Sequence, residues 1–269
     1  MAEQHDPLDP VVLFEHVQDS GAFHGPMGLT IELPLHLTKY MVLEVVVAVI
    51  MIFLFVSLGR RMSDGSRIRG RFWNLLEVMV VFIRDEVARP AIGKPDADKF
   101  LPFLLTIFFF VLGCNLLGLI PWAGSATGAL ATTAALALVT FTVVIGSSIL
   151  KLGLGGFVKS FVPPMDLPFV MSIFLVPLIF VLEVMGLLIK HFVLAIRLLS
   201  NMVAGHLVLA VLVAFIAASA QSIAWYGVAP ASVLGSTALM MLELFVAFLQ
   251  AYIFAFLSAL FIGMAIHPH

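Results

Sequence analysis

The sequence predicts an all-α integral membrane protein with about five membrane-crossing helices and one interfacial amphipathic helix. Three observations carry this. Of 269 residues, 62% are hydrophobic and only 11% are charged. Mean hydropathy is +1.13. Apolar runs long enough to span a bilayer recur along the chain. A soluble domain is roughly half apolar and about a quarter charged. About 20 consecutive apolar residues cross a bilayer as a helix, since hydrocarbon offers the backbone no hydrogen-bond partner.

No polar linker divides the chain, so 37–269 reads as a single membrane domain behind an exposed N-terminal segment, 1–36. The net charge of −2 points to no nucleic-acid partner. One cysteine, Cys114, excludes a disulfide within the chain and a CxxC metal or redox site. No basic n-region precedes a short apolar core, so insertion is expected to rely on internal spans.

The N-terminal segment is polar, with scattered Pro and Gly, and VVLFEHV (11–17) could form one short helix. The first span is about 38–58, with Glu44 near its start, in reach of the interface. Arg60, Arg61, Arg67, Arg69 and Arg71 follow, the densest basic segment of the chain. The positive-inside rule places this segment in the cytoplasm and the N-terminus outside. Over 72–89, Phe72, Leu75, Leu76, Met79, Ile83 and Val87 recur at helical spacing. Glu77, Arg84, Asp85 and Glu86 oppose a full crossing, so this helix is expected to lie at the cytoplasmic interface and to end at Pro90 and GKPDADK.

A second span, about 100–120, stops at Pro121; PWAGSATG turns the chain, and a third, about 128–150, is followed by Lys151 and Lys159. The two form a hairpin that returns to the cytoplasm. The apolar stretch 168–220 would run roughly 80 Å as one helix, against about 30 Å of hydrocarbon. It is either two upright spans with a tight turn near Lys190 or one long tilted helix. One net crossing leaves the loop 221–232, which has no Lys or Arg, outside, and the charge rule favours that. The last span, about 237–266, then ends in the cytoplasm.

From residue 100 onward only seven Lys, Arg, Asp or Glu residues occur, and Glu183, Lys190, Arg197 and Glu243 fall within apolar segments. A charge at the bilayer centre costs about 2.5–3.5 kcal/mol on insertion scales, so such residues are functional candidates. Arg197 is a permanent cation that cannot relay protons. It can attract a carboxylate or block a proton path by its charge. The alternative is a structural pair with Glu243 or Glu183. Glu183, Lys190 and Arg197 are seven residues apart and Asn201 is four beyond, which places all four on one helical face. His206, nine past Arg197, falls on the opposite face, and Glu243 and Gln250 share a face of the last span. His206 and Glu243 can bind and release protons, and Asp, Glu and His in membranes mark proton relays. Each has a bland alternative as a packed, satisfied side chain. Gly186, Ser200, Ala204 and Gly205 let another helix approach closely, which ordinary bundle packing also requires.

The segment IRLLSNMVAGHLVL (196–209) resembles the most distinctive motif of subunit a of the F-type ATP synthase. LFVAFLQAYIFAFL resembles that family's last-helix motif and CNLLGLIP its second-span motif, so the resemblance covers nearly the whole chain from residue 38. It implies a proton-channel stator subunit with two offset half-channels, coupling proton flow to rotation of a c-ring and so to ATP synthesis. Arg197 resembles the arginine that faces the c-ring carboxylate, with Asn201 and Gln250 as polar companions. His206 and Glu243 resemble the pair of the outer half-channel, and Glu183 the acid toward the cytoplasmic one. The resemblance also favours one long tilted helix over 168–220, so that the two long C-terminal helices face the c-ring. Implied partners are the c-ring, the peripheral-stalk b subunits and the lipid bilayer, with protons as the transported ion. Many bacterial members carry Glu nine residues after the Arg and His seven before the Gln; here the two are exchanged, which keeps one acid and one imidazole in the same channel.

No GxxxxGK[ST] loop occurs, so the chain is expected to bind no nucleotide and to be no enzyme on its own. No cofactor or metal is expected. A secondary proton-coupled transporter is the runner-up, but no internal repeat is visible. A haem-binding electron-transfer subunit needs paired axial His on facing helices, whereas His191 and His206 lie in one stretch. The basic loop and the lack of a transit peptide favour a bacterial plasma membrane.

Overall fold

The computed structural model describes residues 22–24, 30–32, 38–63, 70–120, 124–161, 169–220 and 222–267. Two short strands, β1 (Ala22–His24) and β2 (Thr30–Glu32), pair antiparallel with Phe23 opposite Ile31. No strand was expected there, and the proposed helix at 11–17 lies outside the described residues. The remaining elements are helices: α1 (Lys39–Ser63), α2 (Arg71–Phe82), a π-helical turn (Ile83–Ala88), α3 (Arg89–Ile92), α4 (Lys94–Gly118), a 3-10 turn (Ala126–Gly128), α5 (Leu130–Ser160), α6 (Phe169–Ser219) and α7 (Trp225–Ile266). Among the described residues, five helices are long and apolar enough to cross a membrane: α1, α4, α5, α6 and α7. The all-α membrane architecture therefore holds.

Several boundaries differ from the expectation. The segment does not stop at Pro90, which lies in the first turn of α3; the helix ends at Gly93 (φ 95), the first residue of GKPDADK, and the rest of that polar run is the start of α4, from Lys94. Charged residues at a span's first turn remain close to water, so helix and hydrophobic stretch need not coincide. Likewise α7 starts at Trp225, and the uncharged loop shrinks to a few residues. Helix α5 runs past Lys151 to Ser160, with a break at Gly153 (φ 71, ψ 166). That left-handed conformation favours glycine. Helix α6 is one continuous helix through Lys190, so no tight turn divides 168–220.

The chain gathers into two compact units: residues up to 55, 109–133 and 197–251 form one, and 56–108, 134–196 and 252–269 form the other. In the first, Tyr40 and Val47 of α1 pack with Cys114 of α4 and Ala126. Gly113 permits this approach, since a Cβ there would lie 2.8 Å from a Val47 methyl. In hydrocarbon there is no hydrophobic drive between helices, so close packing at small residues does this work.

In the second unit, Ile83, Val87, Leu104, Val144 and Ile262 are fully buried. The apolar stripe of the 72–89 segment divides: Leu76, Ile83 and Val87 face this core, while Phe72 and Leu75 are exposed. Ser148 Oγ donates to the Ala265 carbonyl at 2.9 Å. Where the helix widens into its π-helical turn, Arg84 and Arg89 both donate to Asp85, at 3.0 and 2.6 Å. The hydrogen bond from Arg84 holds the Asp85 carboxyl below the usual carboxylate range. These bonds are therefore at full strength above the ordinary aspartate pKa and fade as pH falls through the lowered one.

Gly263 of α7 touches the Ala91 carbonyl oxygen so closely that a Cβ would collide with backbone. Gly263→Ala is expected to destabilise the protein by about 1–3 kcal/mol through overpacking, despite alanine's better helix propensity. A fall in the thermal midpoint of the purified protein in detergent checks this; an unchanged midpoint contradicts the close approach.

Candidate functional site

The candidate residues converge on α6 and α7 within the first unit. Helix α6 carries Arg197, Asn201, Gly205 and His206; helix α7 carries Glu243 and Gln250. Arg197 is exposed, Asn201, His206 and Glu243 are half-buried, and Gln250 is buried. Among the described residues, Arg197 enters no ion pair and no side-chain hydrogen bond. The structural pair with Glu243 or Glu183 is therefore not formed. Ser200 and Ala204, one and two turns on, are also exposed, so a small-residue strip flanks the guanidinium.

Glu243 lies directly against α6. A Cβ on Gly205 would occupy the place of Glu243 Oε1. Glycine at 205 thus lets the carboxyl reach the helix backbone, one residue from His206. Glu243 Oε1 and His206 Nε2 are both buried and neither has a hydrogen-bond partner among the described residues. Most buried polar atoms are paired, and an uncompensated one costs about 1–3 kcal/mol. Both lie in the first unit, on α6 and α7. Glu183 is exposed on α6 and belongs to the other unit.

The structure adds groups that spacing alone did not single out. Lys39, at the start of α1, is buried and within electrostatic reach of His206. Its ammonium lies 5.3 Å from the Tyr40 ring centroid. On α4, Asn115 is fully buried; its amide donates to the Ala247 carbonyl of α7 at 3.4 Å and its oxygen accepts from Thr127 at 2.7 Å. A hydroxyl has a single proton, so Thr127 must accept from Ser125 at their 2.7 Å contact. The chain runs Ser125 to Thr127 to Asn115. It ends on Ala247, which lies one turn from both Glu243 and Gln250 on α7. Thr132 donates to Glu44 at 2.6 Å in the same unit. An Asn within an apolar span was the available signal for Asn115; Ser125 and Thr127 carried none, because their turn looks like any polar loop.

Together these features define a multi-span helical membrane protein with an acid, an imidazole, amides and a free guanidinium on two long helices. The family model described as ATP synthase A chain matches residues 41–263. The chain is 42% identical to ATP synthase subunit a of Myxococcus xanthus over 88% of this chain and 76% of that one. It is 41% identical to ATP synthase subunit a of Chloroherpeton thalassium, over 97% of this chain and 78% of the relative. ATP synthase subunit a of Anaeromyxobacter dehalogenans is 36% identical, over 98% and 72% respectively. The chain belongs to the ATP synthase A chain family, the membrane-embedded subunit a of the F-type ATP synthase.

Thr127→Val keeps the shape but deprives Asn115 of its donor. We expect a loss of about 1–3 kcal/mol, read as a lower thermal midpoint, while Thr142→Val, whose exposed hydroxyl only bonds back to Leu138, stays within about 0.5 kcal/mol. Equal midpoints for the two variants would contradict the network.

Proposed function

We propose that this chain is the proton-conducting stator subunit, with two offset half-channels that pass protons to and from carboxylates on a rotating c-ring. The observation that carries this reading is Arg197: an exposed, unpaired guanidinium on an apolar helix of a membrane protein. Such a charge is costly at bilayer depth unless an anion faces it, and no anion of the described residues does. A carboxylate brought by a partner answers that need. The flanking Ser200 and Ala204 leave room for a partner helix to come close.

In this reading a proton enters past His206 and Glu243, whose orphaned nitrogen and oxygen each have an unused hydrogen-bonding position. It neutralises the rotor carboxylate, which then moves into lipid without carrying charge. After nearly a full turn the carboxylate meets the second half-channel near Glu183 and releases its proton. Arg197, which cannot titrate in this range, stands between the two paths, prevents their short circuit and stabilises the ionised carboxylate. Asn201 and Gln250 hold polar positions beside it. One charge crossing 100 mV gains about 2.3 kcal/mol, so several protons must be accumulated by rotation for each ATP.

The chain then needs the c-ring for the reversible carboxylate, the peripheral-stalk b subunits to hold it still, and a catalytic sector elsewhere for the nucleotide. The arginine-rich segment 60–71 supports a cytoplasmic C-terminus and an outer N-terminus in a bacterial inner membrane. The exposed apolar side chains Phe72 and Leu75 support an interfacial seat for α2.

Arg197→Ala is expected to abolish ATP-driven proton pumping in inverted vesicles while the complex still assembles. Pumping at native rates would sink the proposal. Gly205→Val is expected to push the Glu243 carboxyl off α6 and lower pumping by about tenfold or more, on the order of 1.4 kcal/mol. Pumping by Gly205→Val equal to native would mean that the Glu243 position does not matter to conduction.

A further inference from the structure

We infer that the second unit holds a binding site for an anionic phospholipid, between the start of α4, the middle of α5 and the end of α7. A cavity of about 530 Å³ lies there, within the range of about 300–1,000 Å³ typical of ligand sites. Its walls are mostly apolar: Phe100 of α4, Val143 and Leu150 of α5, and Ile266 of α7. Lys99 and Lys151 line it as well, with Asp96 between them and Ser147 nearby on α5. One region of the cavity is thus cationic and the rest is greasy, the division of a phospholipid between headgroup and chain.

The charge count decides the sign of the ligand. Asp96 accepts from Lys99 at 3.0 Å through one oxygen and from Lys151 at 2.6 Å through the other. Both of its oxygens are engaged, and one carboxylate faces two ammonium groups. His267 Nε2 is 3.4 Å from the Lys151 ammonium and 3.7 Å from Asp96, so its protonation adds to the same sign. The cluster keeps an excess positive charge with neutral His267 and a larger one when it is protonated. Each ammonium has three donors and uses only one on Asp96, and Lys99 is 74% exposed. Lysine binds phosphate as a point charge, and basic pockets between membrane helices take anionic headgroups. Inorganic phosphate would gain the same two cations but would leave the apolar walls uncovered, and those walls favour the lipid.

Gly146 lines the cavity without touching the ions, and a Cβ there would meet nothing within 4 Å. Gly146→Leu therefore narrows the cavity from its wall and leaves Asp96, Lys99 and Lys151 in the sequence. The test is native mass spectrometry of the assembled complex, delipidated and re-exposed to equimolar phosphatidylglycerol and phosphatidylcholine. The native complex is expected to retain one more phosphatidylglycerol per copy of this chain than the Gly146→Leu complex. Lys99→Gln is expected to weaken that retention about fivefold, the effect of one lysine near an anionic headgroup. Equal retention of phosphatidylglycerol by native and Gly146→Leu complexes overturns the inference, as does equal retention of the two lipids. Full displacement of the bound lipid by millimolar inorganic phosphate would show a free-anion site instead and overturns it too.

Discussion

Hydrocarbon cannot satisfy a hydrogen bond, and most of this structure follows from that constraint. Backbone groups answer it by forming helices. Hydroxyls answer it by bonding back along their own helix, as Thr140 does to Leu136 and Ser258 to Phe254. Asn115, fully buried, answers it by joining α4 to the Ser125–Thr127 turn and to the Ala247 carbonyl of α7. Charges near the span ends answer it in pairs, as Asp96 does with two lysines. Against that background the groups left unanswered among the described residues stand out: the exposed Arg197 guanidinium and the buried His191 Nε2, His206 Nε2 and Glu243 Oε1.

The unanswered groups belong to two long helices, and glycine determines how one of them, Glu243, seats on the other helix. Gly205 gives α6 a bare backbone where Glu243 of α7 arrives. The carboxyl is thereby placed against the turn that carries His206, while the chain from Ser125 to Ala247 grips α7 one turn away. The site is positioned by packing and by a buried hydrogen-bond network, yet the groups proposed to do the work are not consumed by either. A proton-handling residue must keep a free position, and a stator arginine must keep a free charge. The function proposed above gives both features a purpose, with the anion for Arg197 supplied by a partner.

Much of this could be read along the chain. The shared face of Glu243 and Gln250 follows from 3.6-residue spacing; the count of spanning helices and the single helix through the Arg197 region needed the loop-charge rule and the family resemblance as well, because apolar length alone left 168–220 as one helix or two. Element ends were less legible. GKPDADK looks like a linker, because its polarity says only that water is near; its first residue, Gly93, is the break, and from Lys94 onward the run is helical. The loop 221–232 has no charge and one proline, and most of it is the first turns of α7. The stripe from Phe72 to Val87 was legible as a helix, but periodicity could not show that Leu76, Ile83 and Val87 are buried while Phe72 and Leu75 are not.

By itself the sequence determined that this is a helical membrane protein, which residues carry charge at bilayer depth, and which of them share a helix face. Those properties are local: hydropathy fixes the span and helical pitch fixes the face. Only the tertiary structure decided that Arg197 has no partner among the described residues, that Glu243 rests on Gly205 beside His206, and that Asn115, Thr127 and Ser125 form one directed chain. Each depends on which helices approach and how closely, and that is set by small residues whose meaning appears only once a neighbour occupies the space they leave.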